Sequence, residues 1–206
     1  MSIQKLFTVG GNIATLYNGA TALGWHDKSV LDKNELALLF EDNYTPNAHH
    51  PYYSYSQISA SPNIWVARSL VPSALSAFST DGAFLLAVQG VGDLTDITST
   101  DTLFWDSKLS SCVSLTLPNV KDCSYMFRDC YYLTAIPDMS VPKVEDVEWM
   151  FGGCSNVSAN ISATYQMLSN IQTITSHYAA FYNCGSNTVQ GAAELALIPD
   201  DWKHSE

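Results

Sequence analysis

The sequence predicts a β-rich α+β protein: an antiparallel β module over residues 1–100, followed by a short solenoid of helix–strand units over residues 101–206. Three observations predict it. The first half breaks into strand-sized runs separated by turn residues. The second half repeats a motif of aromatic, Met, Phe, two spacers and Cys. The composition is 47% hydrophobic but only 14% charged, so the chain can bury a core while Ser, Thr and Asn cover its surface.

In the first half, Ile3, Lys5, Phe7 and Val9 alternate with Gln4, Leu6 and Thr8, a strand period. Gly10-Gly11 predicts a turn, residues 13–17 a second strand, and Asn18-Gly19 is a strong hairpin signal. Residues 35–41, 63–68 and 83–88 are further strand candidates, and residues 72–78 fit one or two helical turns. Between them lies an aromatic run with Tyr44, His49, His50, Tyr52, Tyr53 and Tyr55. One reading is a loop that grips a glycan or a partner protein, since Tyr offers apolar area with a polar tip. The other, commoner in general, is a loop packed on the sheet. His49-His50 makes a poor metal site, because adjacent side chains of an extended chain point apart.

In the second half, Tyr125-Met126-Phe127-Arg128-Asp129-Cys130 matches Trp149-Met150-Phe151-Gly152-Gly153-Cys154 at a spacing of 24. Ala179-Ala180-Phe181-Tyr182-Asn183-Cys184 follows 30 later, and a degenerate copy ending in Leu109-Ser110-Ser111-Cys112 precedes by 18. Seven before each Phe stands Val120, Val144 or Ile174. Five before stands Asp122, Asp146 or Ser176, residues favoured as helix N-caps. Cys123, Met126, Phe127 and Cys130 then fall at i, i+3, i+4 and i+7, as do Val147, Met150, Phe151 and Cys154, which predicts amphipathic helices. Phe181 and Cys184 extend the same core set. Residues 133–138, 195–200 and 115–119 read as strands, each closed by a Pro that removes a ladder donor. Such a unit cannot bury its own apolar face, but a stack can.

These residues resemble the bacterial-surface-protein (BspA-like) type of leucine-rich repeat, whose consensus runs roughly Val-Thr-(Asn/Asp)-Met-Ser-Tyr-Met-Phe-x-x-Cys-x-x-Leu-Thr-x-x-Pro-Asp. Residues 120–138 match closely and residues 144–157 well, and the likeness covers about residues 102–200. It implies a solenoid and no catalysis. Such repeats occur in bacterial adhesins, protist surface proteins and phage structural proteins.

The five cysteines, Cys112, Cys123, Cys130, Cys154 and Cys184, are odd in number, and with no Sec-type leader after Met1 they predict free thiols. On adjacent helices Cys130 and Cys154 would stand about 8–10 Å apart, beyond disulfide reach. A buried column of small apolar filler is the expectation, with no Cys-x-x-Cys pair for zinc.

The net charge of −11, with nine basic residues scattered along the chain, excludes a nucleic-acid groove and docking on anionic membranes. No apolar run reaches the ~18 residues of a membrane span. Gly90-Val91-Gly92 lacks a following helix, Asp93, Asp96 and Asp101 do not fit a calcium loop, and no Gly-x-Ser-x-Gly elbow occurs. The expectation is a non-enzymatic structural or adhesive protein without cofactor or metal. A bacteriophage virion component assembled in the host cytoplasm comes first. It would be a head- or tail-associated fibre or decoration protein, docking by its N-terminal half as a homo-oligomer. It would turn the repeats toward other virion or surface proteins, a host glycan or a receptor. A bacterial cell-surface adhesin is the alternative, and a glycan-active enzyme a distant third.

Overall fold

The computed structural model describes residues 3–9, 12–18, 21–23 and 31–204. It is a mixed α+β chain, rich in β structure, with a mostly antiparallel sheet and few helices. Strands β1 (Ile3–Val9), β2 (Asn12–Asn18) and β3 (Thr21–Leu23) form an antiparallel meander. The predicted turns at Gly10-Gly11 and at Gly19 lie outside the described residues.

A second sheet takes β4 (Glu35–Phe40), β5 (Tyr53–Ala60), β6 (Asn63–Ser69), β7 (Leu85–Val91) and β8 (Ser111–Cys112) in the order β5-β6-β4-β7-β8. β4 is central; its sequence, ELALLF, is apolar after Glu35 and buried at five of six positions. That is the pattern of a strand covered on both faces. β8, from the second half of the chain, pairs parallel to β7. Residues 72–78 form a turn and an isolated bridge instead of the predicted helix, and a 3-10 helix follows at Ser79–Phe84.

The predicted helices over 122–130 and 146–154 do not form. Both stretches are chains of tight turns, and the reason lies in two backbone positions per unit. Two residues before each Phe, at Thr102, Tyr125, Trp149 and Ala179, φ is +53° to +58°. Two residues after it, at Asp106, Asp129, Gly153 and Asn183, φ is again positive. A left-handed residue every fourth position stops a right-handed helix from propagating. The hydrogen bonds divide accordingly. Cys123, Tyr125, Phe127 and Asp129 send their N–H groups to the carbonyls of Asp146, Glu148, Met150 and Gly152 in the next turn, at 2.8–2.9 Å. The residues between them, Met126, Arg128 and Cys130, bond three back within their own turn, at 3.1–3.3 Å. Asp122 and Asp146 do not cap helices. Their Oδ1 atoms accept from Ser124 N at 3.0 Å and Glu148 N at 2.8 Å, fixing the first bend as an Asx turn.

Successive turns thus align as a parallel ladder, bridged Ala74–Ser99–Asp122–Asp146–Ser176. This alignment corrects the sequence register. Phe104, not the segment at Leu109, is the partner of Phe127, since Phe104 N bonds Met126 O just as Phe127 N bonds Met150 O. Phe78 extends the column one turn earlier. The predicted strands over 133–138 and 195–200 are absent. Extended pairing on that side is limited to β9 (Leu115–Thr116) beside β10 (Met139–Ser140), and residues 189–195 are helical. The long spacing before Phe181 is taken up by α1 (Ile161–Ser169), which loops out and buries Ile161, Thr164 and Leu168. Helices α2 (Val189–Leu195) and α3 (Asp200–Lys203) close the chain.

One core runs through sheet and turns. Its spine is a file of rings: Tyr53, Phe78, Phe104, Phe127, Phe151, Phe181 and Trp202, with successive centroids 4.5, 5.9, 5.2, 5.4, 5.6 and 6.3 Å apart. The sheet from residue 36 onward and the turns up to Trp202 therefore share one apolar interior. Trp202 ends the file, its carbonyl accepting from Phe181 N at 2.9 Å.

Candidate interaction surface

The aromatic segment picked out in the sequence divides on folding. Tyr53 and His50 are buried, and Tyr53 donates to Ser76 O at 2.6 Å. His50 Nδ1 accepts from Tyr52 N, which leaves Nε2 to donate to Phe78 O, both at 3.2 Å. Tyr44 and Tyr55 turn their hydroxyls onto Asp81, a carboxylate with no solvent exposure that also accepts from Asn47 N at 3.2 Å. Phe84 stacks on the Tyr44 ring at 4.1 Å. Burial, first, and the Asp81 hydrogen bond, second, push the Tyr44 and Tyr55 phenols far above the usual tyrosine range. Burial does the same to Tyr53. His49 and Tyr52 remain at the surface. The segment mainly braces the sheet against the first turn of the ladder, and it spans the start of β5, which the sequence reading took as loop.

The core column lies where the repeat pattern put it. Cys123, Met126, Phe127, Cys130, Val147, Met150, Phe151, Cys154, Phe181 and Cys184 are all fully buried. All five cysteines are free. The spacing between neighbours is that of paired strands, about 4.7–4.9 Å, not of packed helices. The thiols settle by donating to carbonyls of the preceding turn: Cys130 to Phe104 O at 3.0 Å and Cys154 to Phe127 O at 2.9 Å. Burial raises the Cys123 thiol to about 12, and raises Cys112, Cys154 and Cys184 further. Thiols so placed are poor nucleophiles.

The outer face of the turns carries what the sequence reading did not single out. Of the positions two before and one after each Phe, Tyr125, Trp149, Trp105, Arg128 and Tyr182 keep exposed surface, while Gly152 and Ala179 are buried. The Arg128 guanidinium lies 4.4 Å from the Trp149 ring centre, 5.4 Å from Tyr125 and 5.7 Å from Trp105. Its Nε pairs with Asp129 Oδ2 at 3.3 Å without hydrogen-bond geometry. Trp149 also meets Tyr182 at 5.2 Å and Tyr178 at 6.3 Å. Carboxylates are woven among the rings: Tyr125 donates to Glu148 Oε1 at 3.1 Å and Tyr131 to Asp129 Oδ1 at 3.0 Å. Trp105 is 48% exposed, Tyr131 47% and Tyr178 38%. The visible signal was the aromatic that opens each motif, which the helical pattern absorbed.

A shallow cavity of about 410 Å³ lies between residues 110–114 and 134–138. Its ionisable lining is Asp138 and the Cys112 thiol, whose proton burial holds in place. Among the described residues no three His, Cys, Asp or Glu side chains are grouped to hold a metal ion, and no helix is long and apolar enough to cross a membrane.

No protein-family model, curated protein or solved structure matches the chain.

Proposed function

We propose that the chain is a non-enzymatic binding scaffold: a short solenoid of the bacterial-surface-protein leucine-rich-repeat kind, built of turns instead of helices and anchored on a β sheet. The observation that carries this reading is the pairing of an uninterrupted internal ladder with an aromatic outer face. The ladder fixes one set of side chains inside and holds another outside at regular intervals, with no moving part. An exposed cluster of Trp and Tyr on a rigid frame is the composition of a contact surface.

The context favoured is an assembled particle, such as a bacteriophage virion, in which the N-terminal half docks and the turns face outward. The low charge density and the absence of a basic patch support it, as does the long uncharged edge strand β5, which carries none of the chain's acidic residues. A bacterial surface adhesin shares the same face and stands second. Light scattering on the full chain after size exclusion tests between them. A stable dimer or trimer supports assembly through the sheet. A monomer that never sediments with particles overturns the virion reading and leaves the adhesin.

A further inference from the structure

We propose that the outer face around Trp105, Arg128 and Trp149 binds a basic, arginine-bearing segment of a partner protein. The inference rests on the scaffold reading above and names the chemistry of its ligand.

The face already shows how it treats a guanidinium. Arg128 lies against Trp149 with Tyr125 and Trp105 around it, so the rings accept a planar cation from the chain itself. Trp105 and Tyr131, on neighbouring turns, keep about half of their surface open. Charge decides the sign of the ligand. Glu148 and Asp129 accept from the Tyr125 and Tyr131 hydroxyls, Asp106 acts on Tyr131, Asp101 lies on the Trp105 turn where it accepts from Ser124 Oγ, and the chain as a whole carries −11. Asp101 is held above the usual carboxylate range by burial and by its neighbour Asp122, so a cation brought beside it relieves an existing repulsion. A guanidinium meets both needs, laying its plane on a ring and its N–H groups on a carboxylate. The backbone beneath is locked turn to turn, so little ordering cost falls on the protein when the ligand docks.

The test is fluorescence anisotropy of a labelled hexa-arginine peptide titrated with the full chain. Hexa-lysine and cellohexaose serve as comparison probes. Trp105→Ala, which removes a half-exposed ring and no charge, should weaken hexa-arginine by about three- to five-fold. Glu148→Gln, which keeps the Tyr125 acceptor, should weaken it too. Asp138→Asn, which removes the same charge from the cavity lining, should not. Hexa-lysine should bind less tightly than hexa-arginine. Equal weakening by Glu148→Gln and Asp138→Asn, or no effect of Trp105→Ala, would show diffuse attraction to an acidic chain and overturn the proposal. Tight cellohexaose binding that Trp105→Ala abolishes would overturn it in favour of a glycan platform. The scaffold reading fails separately, if Phe127→Ala leaves the melting temperature unchanged.

Discussion

Phe127→Ala tests the ladder most directly. Phe127 has no exposed surface and stands mid-file, 5.2 Å from Phe104 and 5.4 Å from Phe151. Truncation removes a buried ring and leaves a cavity, which costs about 3–5 kcal/mol. Each lost ring contact is about 0.5–1.5 kcal/mol of that total. The two flanking turns cannot close the gap, because their backbone hydrogen bonds hold them at a fixed rise. The upper part of the range is therefore expected. For a chain of this size, roughly 2–4 °C of melting temperature accompany each kcal/mol, so Tm should fall by roughly 8–20 °C. The assay is thermal unfolding followed by circular dichroism and by Trp fluorescence. The two traces should shift together, because one core joins sheet and turns. A shift of only about 2 °C, or a sheet signal that melts unchanged while the Trp signal moves, would refute the continuous core.

Asp81→Ala should be costly for a different reason: it removes the acceptor of the partly buried Tyr44 and Tyr55 hydroxyls, up to about 1–3 kcal/mol each, together with that of the more exposed Asn47 N–H, and Tyr55→Phe should cost about one such bond. Tyr44, Tyr53 and Tyr55 have folded pKa values raised above the unfolded one, so the stability they contribute is complete below about pH 10 and is lost as pH rises beyond it. Tyrosinate absorbance should therefore show these phenols ionising only together with alkaline unfolding. Asp146 is also raised, by burial first and then by Asp122 on the preceding turn and Glu148 on its own turn. Its ionisation weakens the fold as pH rises from about 4 upward, and Asp146→Asn, which can keep the bond from Glu148 N, should flatten that slope in a pH series of melts. Gly153→Ala should destabilise, since φ is +79° and a Cβ would stand 2.1 Å from Asp129 Oδ1; a melting temperature at or above wild type would refute the strained turn.

Residues whose role is set by burial were legible in the sequence. The Val, Met, Phe and Cys positions of each motif go inside, and the strands at 35–41, 63–68 and 83–88 form with small shifts of boundary. The turn geometry was not legible, because apolar residues at i, i+3, i+4 and i+7 fit two conformations. In a helix the spacing marks one face. Here it marks the inward side of a chain that reverses by left-handed residues, and Tyr125 and Trp149 give no sign of positive φ, since only Gly and Asn announce it. The degenerate first unit was misaligned for a related reason. Ser107 stands where later units have Cys130 and Cys154, so the Cys spacing points to Cys112 and hides the true register at Phe104. The outer face was partly legible, its aromatics being visible beside the motif. The Tyr44–Tyr55 run misled in the opposite direction, because nothing local reveals that a distant Asp81 will draw those hydroxyls inward.

Each turn bonds in the same pattern to both neighbours, with alternate N–H groups such as those from Cys123 to Asp129 pointing to the next turn and Lys121 and Glu145 N pointing back to the one before, which makes the ladder modular in length. A whole extra turn of about two dozen residues would take and return the same set of bonds, and neither neighbour would have to change. A partial insertion finds no such place and must bulge outward, as α1 does before Phe181. Natural or engineered variants of this chain should therefore differ by entire turns between the sheet and Trp202, or by loops on its flank, and the distance between anchor and tip becomes a quantity set by copy number alone.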